Sequence, residues 1–203
     1  TLMQNPNGEP GGVSFSPDSK WITYTKSAEN DMSVVYVFNL ATKKEYPVTE
    51  RWYSSSAPAF STDGKYLIFT SARDFNSTYS QTEWNHVYTR MNGVYMAMLS
   101  KATPSPLLPT DGAVDAPKPA EGPVEVQIDT DNLPGRIIKL PLPAGSYRNF
   151  YSDGKKVYYS GSGGLKAFDL KTQKEETVAE GASVTVTPGS KKALYMKGRQ
   201  MFV

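Results

Sequence analysis

Histidine occurs once in this 203-residue chain, at His86, and cysteine does not occur at all. A serine hydrolase needs a base in hydrogen-bond reach of its nucleophile and a third group to orient that base. Ser162 stands among glycines, but Gly161-Ser162-Gly163-Gly164 lacks the G-x-S-x-G order of a nucleophile elbow and reads as a flexible hairpin turn. Nothing in its sequence context joins His86 to a nucleophile or an orienting carboxylate, so it reads as an ordinary loop residue. Asp129, Asp131 and Asn132 offer the hard oxygens that calcium takes. The glycine and distal glutamate of an EF-hand loop are missing at their offsets, and the trio reads as a solvated turn between strands. Asp111 and Asp115 lie in a Pro/Gly-rich loop and carry less weight still. There is no G-x-x-x-x-G-K-[ST] phosphate loop. The expectation is a chain with no catalytic residue, no metal site and no cofactor of its own.

One stretch is richer in binding chemistry. Arg73, Asp74, Asn76, Tyr79, Glu83 and Trp84, with Phe75, Asn85, His86, Tyr88 and Arg90 around them, put aromatics, amides and both charge signs into one long excursion. Loops held by a rigid scaffold are where binding residues collect, which makes the first six the candidate site. The structural reading of the same residues is a satellite core of Phe75, Tyr79 and Trp84 beneath a long loop, with Arg73 and Asp74 paired to each other or to neighbours. That reading is the favoured one.

The scaffold itself shows as a repeat. Phe15-Ser16-Pro17-Asp18-Ser19-Lys20-Trp21-Ile22-Thr23-Tyr24 returns as Phe60-Ser61-Thr62-Asp63-Gly64-Lys65-Tyr66-Leu67-Ile68-Phe69. Tyr151-Ser152-Asp153-Gly154-Lys155-Lys156-Val157-Tyr158-Tyr159 is a third copy, and residues 187–195 are a weaker fourth. Each copy reads as strand, tight turn, lysine and second strand. Gly64 and Gly154 suit positive φ, so a branched residue is expected to be more strained at Gly154 than at Ser19. A third strand follows each turn, at 34–40, 94–99, 165–170 and 200–203. Residues 37–45 and 167–175 share one template for the third and fourth strands. The second unit is interrupted by residues 71–92 and 101–136. Its fourth strand is expected at 137–142, and 124–129 alternates in period two as an added edge strand.

A four-stranded antiparallel unit recurring every 40–45 residues or so is a propeller blade. The chain is therefore expected to be all-β, a partial β-propeller of about three and a half blades. Blade 1 covers 11–50, blade 2 covers 51–142 with both insertions, blade 3 covers 143–181, and a truncated blade 4 covers 182–203. Such a run does not close a ring, and a longer parent is expected. Trp21, Tyr24, Tyr66, Phe69, Tyr158 and Tyr159 are placed between blades.

Composition agrees with this and excludes other classes. Aromatics make up 12% of the chain, with 13 Tyr, and 16 Gly and 15 Pro supply the turns. A net charge of +2 predicts no nucleic-acid partner, and no apolar run is long enough to span a membrane. No signal-peptide pattern is present. The absence of cysteine excludes a disulfide scaffold, and with many Tyr and Thr it suits an envelope protein.

The repeat around Phe15 to Ile22 resembles the WD40-like repeat of TolB-type and tricorn-type propellers. Residues 71–76, followed by Tyr79 and Glu83-Trp84, resemble a segment of bacterial tricorn protease homologues, as do residues 128–133 and 136–147. The resemblance covers nearly the whole chain. It implies a propeller that precedes a PDZ domain and a serine-type peptidase core and that guides or filters peptides rather than cutting them. No segment here matches the core. The implied partners are peptides or other domains of the same polypeptide, with self-association through open blade edges. The implied location is periplasmic or otherwise exported in a bacterium, with the cytoplasm as the alternative. The alternative is a TolB-like protein-interaction scaffold without peptidase activity.

Overall fold

The first two blade turns are each built on a buried serine. In the computed structural model, which describes residues 8–75, 77–80, 86–108, 123–180, 183–186, 193–197 and 200–202, the Ser16 hydroxyl donates to the Asp18 carboxylate at 2.6 Å. The same hydroxyl accepts from the Trp21 amide at 2.9 Å. Ser61 repeats this with Asp63 at 2.5 Å and the Tyr66 amide at 3.0 Å. Both serines are buried, so the hydroxyl satisfies a strand-end amide that water does not reach. The next position turns left-handed in all three clear copies, at Ser19 (φ 59°), Gly64 (φ 70°) and Gly154 (φ 83°). Ser19 therefore shares the conformation that the sequence marked only at the glycines.

These turns open antiparallel sheets. The first holds β1 (Gly11–Phe15), β2 (Trp21–Ser27), β3 (Ser33–Asn39) and β4 (Lys44–Pro47), in that order. The second contains β5 (Ser55–Phe60) and β6 (Tyr66–Ser71), then admits a small separate hairpin of β7 (Ser77–Tyr79) and β8 (His86–Tyr88). It is completed by β9 (Gly93–Met98) and β10 (Ile137–Lys139), in the order β10-β9-β6-β5. The third runs β11 (Arg148–Ser152), β12 (Lys156–Gly161), β13 (Gly164–Asp169) and β14 (Lys174–Glu180). The last has three strands among the described residues, β15 (Ser183–Val186), β16 (Ala193–Lys197) and β17 (Gln200–Phe202).

First strands of successive sheets are neighbours, β1 beside β5, β5 beside β11 and β11 beside β15, as propeller blades arranged around an axis require. Each of the first three bulges where its ladder shifts register. Gly12 (φ 61°), Ala57 (φ 53°) and Asn149 (φ 55°) take left-handed conformations there.

Among the described residues, two apolar layers lie between the first three sheets. Trp21, Val35, Val37 and Val48 of the first sheet face Phe60, Leu67, Phe69 and Leu99 of the second. Tyr66, Ile68, Val94 and Met96 face Val157, Tyr159 and Phe168 of the third. Tyr24 is buried with Ile22 and Phe38 on the other side of the first sheet. Tyr158 lies half-buried on the opposite face of the third sheet, against Tyr151, with ring centroids 5.8 Å apart.

The template shared by 37–45 and 167–175 has a physical origin. Asn39 Oδ1 accepts from the amides of Ala41 and Thr42 at 3.0 and 2.9 Å. Asp169 Oδ1 accepts from those of Lys171 and Thr172 at 3.0 and 2.8 Å. One step on, Glu45 accepts from the Tyr24 phenol and pairs with Lys26 at 2.5 Å. Glu175 accepts from the Tyr159 phenol and pairs with Lys166 at 2.9 Å. Phe69 and Ile137 hold the matching places in the second sheet, so there the polar spoke is replaced by apolar packing.

The stretch 124–129 forms no strand. Its Val126 amide donates to the Asp18 carboxylate at 2.9 Å, so a turn takes the bond that a ladder would need. Its Asp129 amide donates to the Leu99 carbonyl at 3.0 Å. Val126 is buried and Ile128 packs beside it, which makes the segment a strap laid over the first two blade turns. Gly64 accommodates it, because a Cβ there would come within 2.9 Å of Val124 and Val126 methyls.

Candidate functional site

The end of β6 sets the geometry of the excursion. Ser71 is buried, and its hydroxyl accepts from Arg73 Nε at 3.1 Å. That bond holds the guanidinium between two rings, 5.6 Å from the Tyr53 centroid and 5.3 Å from that of Tyr95. Asp74 does not pair with Arg73. Its amide donates to the Met91 carbonyl at 3.0 Å, and its carboxylate accepts from Lys139 of β10. The second carboxylate oxygen is buried without a hydrogen-bond partner. Gly93 lies against it, and a Cβ at that position would come within 2.8 Å. Burial pushes the Tyr95 phenol up to about 12, with the Asp74 charge adding to the rise and Arg73 opposing it.

Phe75 packs on Tyr53 at 5.6 Å and meets Tyr88 edge-on at 5.8 Å. It is nonetheless 55% exposed, with Tyr79 at 69% and Tyr88 at 53%. Phe75 and Tyr79 are thus exposed where a satellite core beneath the loop would cover them, while Trp84, its third expected member, lies outside the described residues. The structure brings Arg73, Asp74 and Phe75 together and places Tyr79 on the adjoining hairpin. Asn76, Glu83 and Trp84 lie outside the described residues, as does the side chain of His86. Sequence reasoning missed Tyr53, Tyr95 and Lys139, along with Trp52 at 77% exposure. The adjacent aromatics Trp52-Tyr53 in a polar connection were the available signal.

The other candidates resolve into structure. Asp129 accepts from the Ser100 hydroxyl at 3.0 Å and the Lys101 amide at 2.7 Å, and Asp131 pairs with Lys101 at 2.8 Å. Arg136 donates to the carbonyls of Met98, Leu99, Asp129, Asp131 and Asn132. The guanidinium thus fills the oxygen-lined turn that suggested a cation. No group of three potential ligands is placed to hold a metal ion among the described residues. Ser162 lies in the two-residue turn joining β12 to β13, beside Gly163 at φ 93°. Asp111 and Asp115 lie outside the described residues.

Sheets of four antiparallel strands whose first strands adjoin in sequence define a β-propeller segment, open rather than closed into a ring. A family model described as the tricorn protease second beta propeller domain matches residues 1–203, and the chain belongs to that family. It is 27% identical over 155 residues to tricorn protease homolog 1 of Streptomyces coelicolor, covering 71% of this chain and 14% of that protein. With the tricorn protease of Thermoplasma volcanium it shares 25% identity over 97% of this chain and 21% of that one. The crystal structure of the tricorn protease superposes with a TM-score of 0.77 at 18% identity, over 97% of this chain and 21% of that chain. The chain thus spans a minor share of each relative's length.

Proposed function

We propose that this chain is the non-catalytic propeller part of a tricorn-like serine peptidase, guiding or filtering peptides toward a catalytic core outside these residues. The observation that supports the reading is the family match over residues 1–203. Its blades are assigned to 11–50, 51–142 with insertions 71–92 and 101–136, 143–181 and 182–203. No helix among the described residues is long and apolar enough to cross a membrane. The exported location suggested by composition is not part of the reading, since cysteine-free chains occur in reducing and oxidising compartments alike.

Fluorogenic peptides offered to residues 1–203 and to the full-length polypeptide test the assignment. Turnover is expected from the full-length polypeptide only. Turnover by residues 1–203 that disappears in His86→Ala overturns the non-catalytic role. For the guiding role, deleting the propeller from the full-length polypeptide is expected to raise KM for long peptides more than for short ones. An unchanged length dependence overturns it.

A further inference from the structure

The carboxylate at the root of the 71–92 insertion is only half satisfied. The Asp74 amide donates to the Met91 carbonyl at 3.0 Å, so the chain leaves the blade and returns to it at one point. Backbone bonds tie down the flanks. The Ala72 amide donates to the Ser54 carbonyl at 2.9 Å, and the Gly145 amide to the Asn92 carbonyl at 2.8 Å. Between those ties the Asp74 side chain turns inward and is only 17% exposed. One of its oxygens is held by Lys139, and the other is buried with no hydrogen bond. Gly93 forms the floor of this niche. A Cβ there would come within 2.8 Å of the unbonded oxygen, 3.1 Å of the Tyr95 ring and 3.3 Å of Lys139 Cε. Carboxylate, ring and lysine stem therefore close on a bare Cα.

A buried carboxylate oxygen without a donor is unfavourable, and here the ion pair offsets that cost. Among the described residues Lys139 is the one ion-pair partner of Asp74. The Arg73 guanidinium lies between Tyr53 and Tyr95 with its Nε on the Ser71 hydroxyl. The Tyr147 phenol senses the Asp74 charge but donates to the Pro143 carbonyl. Without the lysine charge the inward position strands a carboxylate, and water becomes the better solvent for it. A neutral side chain of the same shape has no such reason to leave. We propose that Asp74 and Lys139 form a charge-operated lock on the root of the insertion: the lysine charge keeps residues 73–75 and 91 seated, and its loss drives Asp74 out toward water. Lys139 is the accessible half, 41% exposed, so dissolved ions reach the lock through it.

The test is amide hydrogen exchange in the full-length polypeptide, read by mass spectrometry on fragments covering 72–75 and 91–93. Lys139→Met keeps a stem against Gly93 and removes the charge. Exchange at the Asp74 amide and its neighbours is expected to rise roughly tenfold or more, while the strands of the first sheet keep wild-type protection. The double variant Asp74→Asn/Lys139→Met is expected to regain most of the protection, and Lys139→Arg, which keeps the charge, to retain it. Added salt is expected to speed exchange at the root in wild type and to leave the double variant unchanged. Wild-type protection in Lys139→Met overturns the proposal. A double variant that exchanges as fast as Lys139→Met also overturns it, because the loss then follows the missing lysine contacts rather than a stranded charge. Should Lys139→Met loosen the whole second sheet, the same comparison with the double variant decides.

Discussion

Ser19, Gly64 and Gly154 occupy one left-handed turn position with three different tolerances. At Gly154 a Cβ would lie 2.2 Å from the Asp63 carboxylate of the neighbouring blade, so an added side chain meets both backbone strain and a clash. Gly154→Ala is expected to cost about 2–4 kcal/mol, the upper part of that range coming from the clash. Ser19 already bears the strain, so Ser19→Gly is expected to be neutral or to gain up to about 1 kcal/mol. Urea midpoints measure both, and equal shifts would contradict the assigned contact. Glu175 makes the complementary case for charge. Burial raises its pKa, but the hydrogen bonds from Tyr159 and Lys166 outweigh that and leave it below the ordinary glutamate value. A depressed folded-state pKa contributes stability above the unfolded value, and that stability is lost as pH falls through the folded one. Glu175→Gln is therefore expected to lower the melting temperature at pH 7 and to match wild type once the pH has fallen below the folded-state pKa of Glu175. A constant difference across that window would show that the Tyr159 spoke is not carried by charge.

At the scale of elements, two of the attachments of the strap at 124–129 differ in worth. Lys20 and Glu125 pair at 2.7 Å with both side chains largely in water, where such a contact contributes little. Val126 is buried in the layer between the first two blades. Val126→Ala is expected to cost about 1–2.5 kcal/mol in chemical denaturation, and Lys20→Ala to leave the midpoint nearly unchanged. A larger loss from Lys20→Ala would mean that the strap is held electrostatically. This element also marks where the sequence ceases to be readable. Blade strands were legible because Ser16, Asp18 and Lys20 recur at a fixed offset with turn chemistry that dictates a hairpin. The strap looked like a strand because Val124, Val126 and Ile128 alternate. Its partner, however, is the Asp18 carboxylate, 108 positions away, and no local pattern announces such a bond. The β7–β8 hairpin was hidden for a different reason, since three-residue strands are too short to show a period. The candidate site was half visible. Arg73, Asp74 and Phe75 stood out in a long loop, whereas Tyr53 and Tyr95 reach it only through the stacking of blades.

At the scale of the whole molecule, the repeat shows which surfaces are satisfied. Phe15 and Phe60 hold the same place before the blade turn, and Val13 corresponds to Pro58. Phe60 is 7% exposed because it packs into the layer against the first blade. Phe15 is 59% exposed and Val13 55%, so the first blade presents at its inner strand the apolar surface that the second blade buries. The same ring therefore has opposite thermodynamic roles in two blades. Phe60→Ala is expected to cost about 3–5 kcal/mol, as for a buried aromatic truncated in a packed layer. Phe15→Ala is expected to change the stability of residues 1–203 by less than about 0.5 kcal/mol, since little is buried there to lose. Its effect is expected in association instead. Exposed Val13 and Phe15 offer an apolar contact to a second copy, and a net charge of +2 supplies little repulsion against it. Sedimentation velocity over a wide concentration range is expected to show residues 1–203 associating, with Phe15→Ala shifting the onset to higher concentration. A strictly monomeric chain would mean that this inner strand attracts no partner. Association unaffected by Phe15→Ala would place the contact elsewhere, with the aromatic surface of Phe75 and Tyr88 next to be substituted.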